Sequence, residues 1–503
     1  MKYVLTLDVG TTAVKAGLFS EHLESISFAV REYRLLTPGP DQVEMDPEVY
    51  WTEAKEAILA AVSRAGVNPQ DIISITCTTQ GETLIPVGKD KKHLANAIVW
   101  LDSRAKSEAD FIAKGFEKIT IYQVTGLPEI NGYCPIAKVL WVKNNMPEMY
   151  AMTEKFLLLE DYLILRLCGI YATNPPLMCS TGYFNIHSDM LWEEMLRYCG
   201  ISADKFPEVV PSGTIIGKLL GSVAGDLGLS PEVMVTTGAM DQVASAVGSG
   251  NTAVGIVSET TGTAQVVAAT CEKNVPEQWT PVTIYRHAVG DAFLKIVINQ
   301  TAGIAYKWFR DEFCVDLAKA HEDAFDAMGA LAENEPAGSR GLIFFPHLTG
   351  MQFPQSDETL RGAFVGVGLD TNRGCFIRAI MEGVGFMLRE SIEGMNLKPE
   401  SIISLGGGAK SPLWCQIKAD ISGIKIAILE HAESTSLGAA VMGCVAMGIY
   451  SDYQTAAKAL VRESEFQPVA ENHDLYQPAY AEYQAMYCLF SPIFKNRKKG
   501  ANR

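Results

Sequence analysis

At 503 residues, 48% of them hydrophobic and 20% charged, the chain is too long for one hydrophobic core and too apolar to be disordered, so two large globular units are expected. Forty-two basic against 58 acidic residues leave a net charge of −16, which argues against nucleic acid and anionic membranes as partners and requires any anionic ligand to be held locally. Eleven cysteines without a CxxC pair argue against a disulfide framework and fit a reducing compartment, so a cytoplasmic protein is expected.

The first element is a β-branched apolar run, Tyr3 to Leu7, followed by Asp8, a turn containing Gly10, Thr11 and Thr12, and a second strand-like run from Ala13 to Phe19. Successive backbone N–H groups in such a turn form an anion-binding concavity, the hydroxyls add donors, and Asp8 can hold the magnesium that accompanies a nucleoside triphosphate. Asp8 also cuts the apolar run short of a signal peptide, so export is not expected. An amphipathic helix is expected over Pro47 to Ala65 with Asp46 as its cap. Asp71 to Val87 reads as strand, turn, strand, with Thr78, Thr79, Gln80, Gly81 and Glu82 at the turn. Ala97 to Trp100 is a further strand, ending in Leu101, Asp102, Ser103 and Arg104. Ligands of open α/β sheets bind beyond strand ends, and Gln80, Glu82, Trp100, Asp102 and Arg104 supply the acceptors, donors and aromatic wall suited to a neutral sugar or polyol. Taken singly, each of these residues fits a solvated loop better; it is the two clusters at consecutive strand ends that favour a site.

Tyr133 to Asn145 reads as a plain core helix opened by Pro135, with no chemistry assigned to Lys138. Phe156 to Leu167 reads as a helix interrupted by charges, and Asn174 to Asn185 as a lid-side loop. Val233 to Thr236 is a short strand and Met240 to Val247 a helix, which puts Asp241 and Gln242 at the junction. There Asp241 is either a first-turn carboxylate serving free N–H groups or a general base that takes the proton of an attacking alcohol. Val254 to Val267 repeats the opening pattern of apolar run, Gly-Thr turn (Thr260, Thr261, Gly262, Thr263) and apolar run, as a duplicated fold presenting two phosphate turns would. Leu294 to Asn299 is a strand leading through Gly303 into a helix. The strand Ile402 to Leu405 runs into Gly406, Gly407 and Gly408, where a flat base or ribose can lie against bare backbone. Ser434 to Tyr450 is uncharged but shorter than the ~20 apolar residues of a membrane span, so a buried helix is expected. The tail from Lys495 to Arg503 is expected to fray.

These residues jointly resemble the FGGY carbohydrate kinases. DVGTTAVKAGLF is similar to the family's first phosphate motif, YCPIAKVLWVKNN to its helical marker, GAMDQVASAVG to its catalytic-aspartate segment, ETTGTA to its second phosphate motif, and GGGAKSPLWCQIKADISG to its adenosine motif. ESTSLGAAVMG resembles the segment that follows in xylulose-kinase-like members. The resemblance implies an α/β fold of two RNase-H-like domains of the actin and hexokinase type around a central cleft, one over residues 1–248 and one over 249–503. It implies a kinase using ATP and Mg²⁺ to phosphorylate a hydroxyl, most simply a terminal one, of a ketopentose such as xylulose or of a glycerol- or erythritol-like polyol. It makes Asp241 the catalytic base, with Gln242 beside it on the substrate, and Asp8 the metal-side carboxylate. Gly10, Thr11, Thr12, Lys15, Thr261, Gly262, Thr263, Gly303, Gly407, Gly408 and Ala409 are then nucleotide contacts. A homodimer or other homo-oligomer is the expected assembly.

The substrate loop combines two patterns. TQGETLIPV resembles the glycerol-kinase loop in Gln80, Glu82 and Thr83, but Gly81 stands where glycerol kinases place an arginine, and Glu82 where the xylulose-kinase version has a histidine. Cys375 replaces the usual polar residue of the second family marker. Two rival readings keep the same fold: an actin-like or Hsp70-like ATPase switch, and a catalytically silent sugar-binding regulator.

Overall fold

The alternation of buried β-branched runs with turn residues yields two large sheets and several smaller ones in two compact units of a computed structural model describing residues 1–320, 323–430 and 433–501. The first unit comprises residues 1–252, 271–294 and 433–460, and the second 253–270, 295–432 and 461–503. Segments 249–252, 271–294 and 433–460 of the first unit thus lie beyond residue 248.

In the first unit six strands lie in the order Ile215–Lys218, Met234–Met240, Ile72–Thr79, Tyr3–Val9, Ala13–Ser20 and Ser25–Glu32. The second, third and fourth of these run parallel, and their ends are level: Val9 and Met240 both pair with Thr79. The two opening runs pair as an antiparallel hairpin, with Asp8 opposite Lys15 and Val9 opposite Val14. Side chains alternate between the faces. Leu5, Leu7, Ile75 and Cys77 join a core with Tyr50, Ala54 and Ile58 of the helix Pro47–Ala65, whose start is capped by Asp46 at 2.9 Å from the Glu48 N–H. The other face receives Ser434–Ala446, in which a Cβ on Gly443 would lie 2.7 Å from Val4 and 2.6 Å from the Thr76 hydroxyl.

The expected strand, turn, strand over Asp71 to Val87 is present as Ile72–Thr79 and Leu84–Gly88, the second of which pairs with Thr153–Leu158 in a separate five-stranded sheet. Several sequence-based expectations are corrected. The strand at Ala97 stops at Ile98, because Val99 and Trp100 turn away to bond Val43 and Thr83. Phe156–Leu158 belongs to a strand, and the helix starts only at Leu159, with Glu160 and Asp161 facing inward. The segment expected as a lid-side loop is core: Asn174, Leu177, Met178, Cys179 and Phe184 are all buried.

The second unit repeats the plan. Its sheet runs Ala292–Asn299, Gln265–Glu272, Ile256–Thr261, Ser401–Leu405, Lys425–Leu429 and Arg462–Phe466. Ile256–Thr261 and Gln265–Glu272 form the echo hairpin, and Thr260 is level with Leu405 on the parallel neighbour. The long helix Arg373–Gly394 is buried along most of its length, beside Pro412–Ser422. Instead of fraying at Lys495, the last helix continues from Ala470 to Ala501; Asn502 and Arg503 lie outside the described residues. All eleven cysteines are free thiols, and ten are buried. Among the described residues no helix is long and apolar enough to cross a membrane.

Candidate active site

Because Val9, Thr79 and Met240 are level, the next residues, Gly10, Gln80 and Asp241, leave three adjacent strands side by side. Asp241 opens the helix Asp241–Gly248, and Met240 occupies the cap position, so the carboxylate does not act as a cap. Among the described residues it accepts from its neighbour alone, the Gln242 N–H at 2.6 Å. Burial, the negative charge of Asp8 and that of Glu82 push its pKa up to about 7. Asp8, 9% exposed, is raised to about 6 by burial, with Lys15 acting against the rise. The Lys15 ammonium is 2.6 Å from Glu433. Asp8 is thus raised by burial and by the charge of Glu433, and its own charge in turn raises Asp241; a cluster of perturbed carboxylates at strand ends marks a candidate site.

Around this pair the structure arranges the other expected residues unevenly. Gln80 is 4% exposed; its amide donates to the Tyr50 hydroxyl at 3.3 Å, and its Oε1 has no partner among the described residues. Glu82 sits in left-handed backbone, φ 57°, a strain typical of functional loops. Its carboxyl is pushed up by burial, against the opposing charge of Lys138. Trp100 donates its indole N–H to the Thr11 hydroxyl at 2.9 Å, which ties the expected aromatic wall to the first phosphate turn. That turn is closed by the Gly10 N–H on the Ala13 carbonyl, and Thr12 is exposed.

Asp102 and Arg104 are held by each other instead of standing free. The Arg104 guanidinium grips both carboxylate oxygens at 2.7–2.9 Å and reaches Glu44 at 2.7 Å, while Asp102 also accepts from the Val43 N–H at 2.6 Å. With Asp102 fully buried, the pair staples the Trp100 segment to the neighbouring strand.

Sequence reading missed three groups here. Lys138 is fully buried and donates to the carbonyls of Glu82 and Val99 at 3.1 and 2.9 Å, holding the substrate loop from below; burial lowers its pKa. The available signal was a lysine on the apolar face of its helix. Tyr285, nearly buried, feels the charges of Glu82 and Asp241. Glu160, fully buried, accepts from the Gly238 N–H at 2.7 Å and from Asn174 at 2.9 Å, and burial raises it to about 8. It braces the strand that delivers Asp241.

The second unit carries its own concavity, of about 720 Å³, lined by Thr261, Gly262, Thr263, Gly303, Gly407 and Gly408 together with Tyr306, Phe325, Lys410 and Trp414. Gly303 bonds the Gly262 carbonyl at 2.9 Å, and a Cβ there would lie 2.3 Å from that oxygen, so only glycine fits. Gly262 and Thr263 are exposed, whereas Thr261 is 1% exposed and spends its hydroxyl on Glu259. Ala409 is 8% exposed and lies behind the two glycines. Tyr306 and Phe325 stack at 5.6 Å, and the Tyr306 hydroxyl has no partner among the described residues. A base could lie against such a wall, with phosphates at the bare turn.

Residues 3–248 match the model of the FGGY family of carbohydrate kinases, N-terminal domain, and residues 255–447 match that of its C-terminal domain. The xylulose kinase of Bacillus subtilis is 30% identical over 491 residues, covering 97% of each chain. A gluconokinase of the same organism is 28% identical over 487 residues, covering 94% of this chain and 93% of its own. The crystal structure of ligand-bound xylulose kinase from Lactobacillus acidophilus superposes with a TM-score of 0.89 at 26% identity, covering 99% of this chain and all of that one.

Proposed function

The chain belongs to the FGGY family of carbohydrate kinases, two-domain phosphotransferases of the actin and hexokinase-like fold, and we propose that it transfers the γ-phosphoryl of ATP to a terminal hydroxyl of a small neutral sugar or polyol, a ketopentose foremost. The observation that carries this reading is the placement of Gly10, Gln80 and Asp241 on level strand ends, with the Asp241 carboxyl raised to about 7.

In the first unit, Asp241 accepts the proton of the attacking hydroxyl as the oxygen–phosphorus bond forms. A base with a pKa near the working pH combines the correct protonation state with enough driving force. Gln80 Oε1, without a partner among the described residues, accepts a hydrogen bond from a sugar hydroxyl, Gln242 lies beside the base, and Trp100 supplies an apolar face. The N–H groups of the Gly10–Thr12 turn cradle phosphate oxygens. Asp8 accepts no hydrogen bond among the described residues, and its hard oxygen donors suit Mg²⁺, which binds through one or two carboxylates together with substrate phosphates and would neutralise charge on them. In the second unit, the Thr261–Thr263 turn and Gly407–Gly408 hold the nucleotide, with its base against Tyr306 and Phe325.

A neutral acceptor is favoured over an aldonate because the basic groups around the sugar residues are committed: Lys138 to carbonyls, Arg104 to Asp102 and Glu44, Lys15 to Glu433. ADP release with Mg-ATP against glycerol, tetritols, pentitols, ketopentoses, ketohexoses and aldonates tests the reading. Strong stimulation by one neutral compound is expected. Turnover independent of any sugar would replace the kinase with an ATPase switch, and an aldonate as best substrate would overturn the neutral assignment alone.

A further inference from the structure

Beneath the nucleotide pocket of the second unit lies an ion pair that no solvent reaches. Lys418, on the inner face of the helix Pro412–Ser422, and Glu259, in the strand Ile256–Thr261, are both fully buried, with ammonium and carboxylate 2.8 Å apart. All three ammonium protons have acceptors: Glu259, the Thr261 hydroxyl at 3.0 Å and the Ser404 hydroxyl at 3.2 Å. Glu259 in turn accepts from Thr261, from Ser404 at 2.8 Å and from the Gln265 amide at 3.3 Å.

The groups come from three elements. Glu259 and Thr261 share the strand that runs into the second phosphate turn, Ser404 lies next to the end of the strand that runs into Gly406–Gly408, and Lys418 comes from the helix beyond those glycines. The two turns close on each other at this point: a Cβ on Gly408 would lie 2.6 Å from Thr261 Cβ and 3.3 Å from the Lys418 ammonium. Water cannot substitute for a lost partner in a space packed this tightly.

We propose that Lys418 and Glu259 are positioning residues for nucleotide binding, locking the phosphate turn at Thr261–Thr263 to the glycine turn at Gly406–Gly408. The pair touches no ligand and acts through Thr261. A buried pair of this kind is a poor means of gaining stability, since well-packed apolar groups of similar volume commonly stabilise as much, and it is better explained by the geometry it imposes. Two turns free to shift by a fraction of an ångström would present their N–H groups out of line with a diphosphate.

The inference rests on reading the pocket as the nucleotide site. Calorimetric titration of ADP into the full-length protein examines both, because wild-type protein that binds no ADP would remove that reading itself and the inference with it. Glu259→Leu with Lys418→Met replaces the pair by apolar groups, and Thr261→Val keeps the ion pair while deleting the hydroxyl that joins it to the turn. For both we expect an ADP Kd raised about tenfold, a raised KM for ATP and an unchanged KM for the sugar. Melting curves report folding separately. If Thr261→Val binds ADP as tightly as wild type, the pair is structural only and the proposal falls, whether or not the double variant folds. A double variant that folds and also binds as wild type would overturn it equally.

Discussion

Asp241 shows how one side chain trades stability for chemistry. A free aspartate titrates near 3.9, and the folded value is about 7. Between those values the native state binds more protons than the unfolded chain, so the group favours folding at low pH and that contribution is lost as the pH rises through about 7. Asp241→Asn removes the buried charge. We expect a melting midpoint at pH 8 about 2 °C or more above wild type, a gain that vanishes by pH 4, together with a kcat lowered ~10²–10⁴-fold and ADP binding retained. In the wild type, kcat/KM rises with pH through the same pKa near 7. Calorimetry and a pH–rate profile check the two halves, and unaltered activity in the variant would disqualify Asp241 as the base. At this scale the sequence was partly legible. The Asp8 and Asp241 motifs are contiguous and identifiable as strings, whereas the pairing of Arg104 with Asp102 and Glu44 links residues as far as 60 positions apart and follows only from the fold.

The helix Asp241–Gly248 is held by glycine contact. It crosses Ser434–Ala446 so closely that a Cβ on Gly438 would stand 1.8 Å from the Ala244 carbonyl oxygen, and one on Gly248 1.9 Å from that of Ser434. The uncharged stretch from Ser434 was expected to be a buried helix, but its packing against Asp241–Gly248, where Ser434 meets Ser245 189 positions upstream, follows only from the fold. Gly438→Ala forces the two backbones apart, and we expect it to cost ~1–3 kcal/mol and lower kcat about tenfold or more as Asp241 is displaced. Gly225→Ala, on the helix Gly221–Leu227 where an added Cβ meets nothing within 4 Å, serves as the control and should leave both unchanged. Denaturant melts and steady-state kinetics on the two variants compare them. At the same scale, the buried ends of Glu160 and Lys138 escaped the sequence reading because a charge on a helix normally marks its solvent face.

At the scale of the molecule, the units are discontinuous in sequence. The first needs residues 433–460: without Ser434–Ala446 one face of its sheet, including Val4 and Thr76, loses its cover. It also needs residues 271–294, where Arg286 binds Asp189 at 2.7 Å with its side chain 6% exposed. We therefore expect a fragment ending at Thr252 to fail to fold, showing dye-accessible apolar surface and no cooperative melt, although it contains the whole match to the N-terminal domain model. A cooperative transition in that fragment would show the first unit to be self-sufficient.

What the sequence determined by itself was local and repetitive. The two Gly-Thr hairpins, the helix over Pro47–Ala65 and the glycine turn after Leu405 are each set by residues within one stretch, through strand propensity, capping and backbone freedom. Their joint order identifies the family. Tertiary structure alone decided which expected side chains remain available to a ligand. Gln80 keeps an oxygen without a partner among the described residues, while Asp102, Arg104 and the Thr261 hydroxyl are taken up by partners that include Val43, Glu44 and Lys418 from other strands and helices. The physical reason is desolvation: a polar group removed from water must find a partner, and which partner lies within reach depends on how distant segments pack.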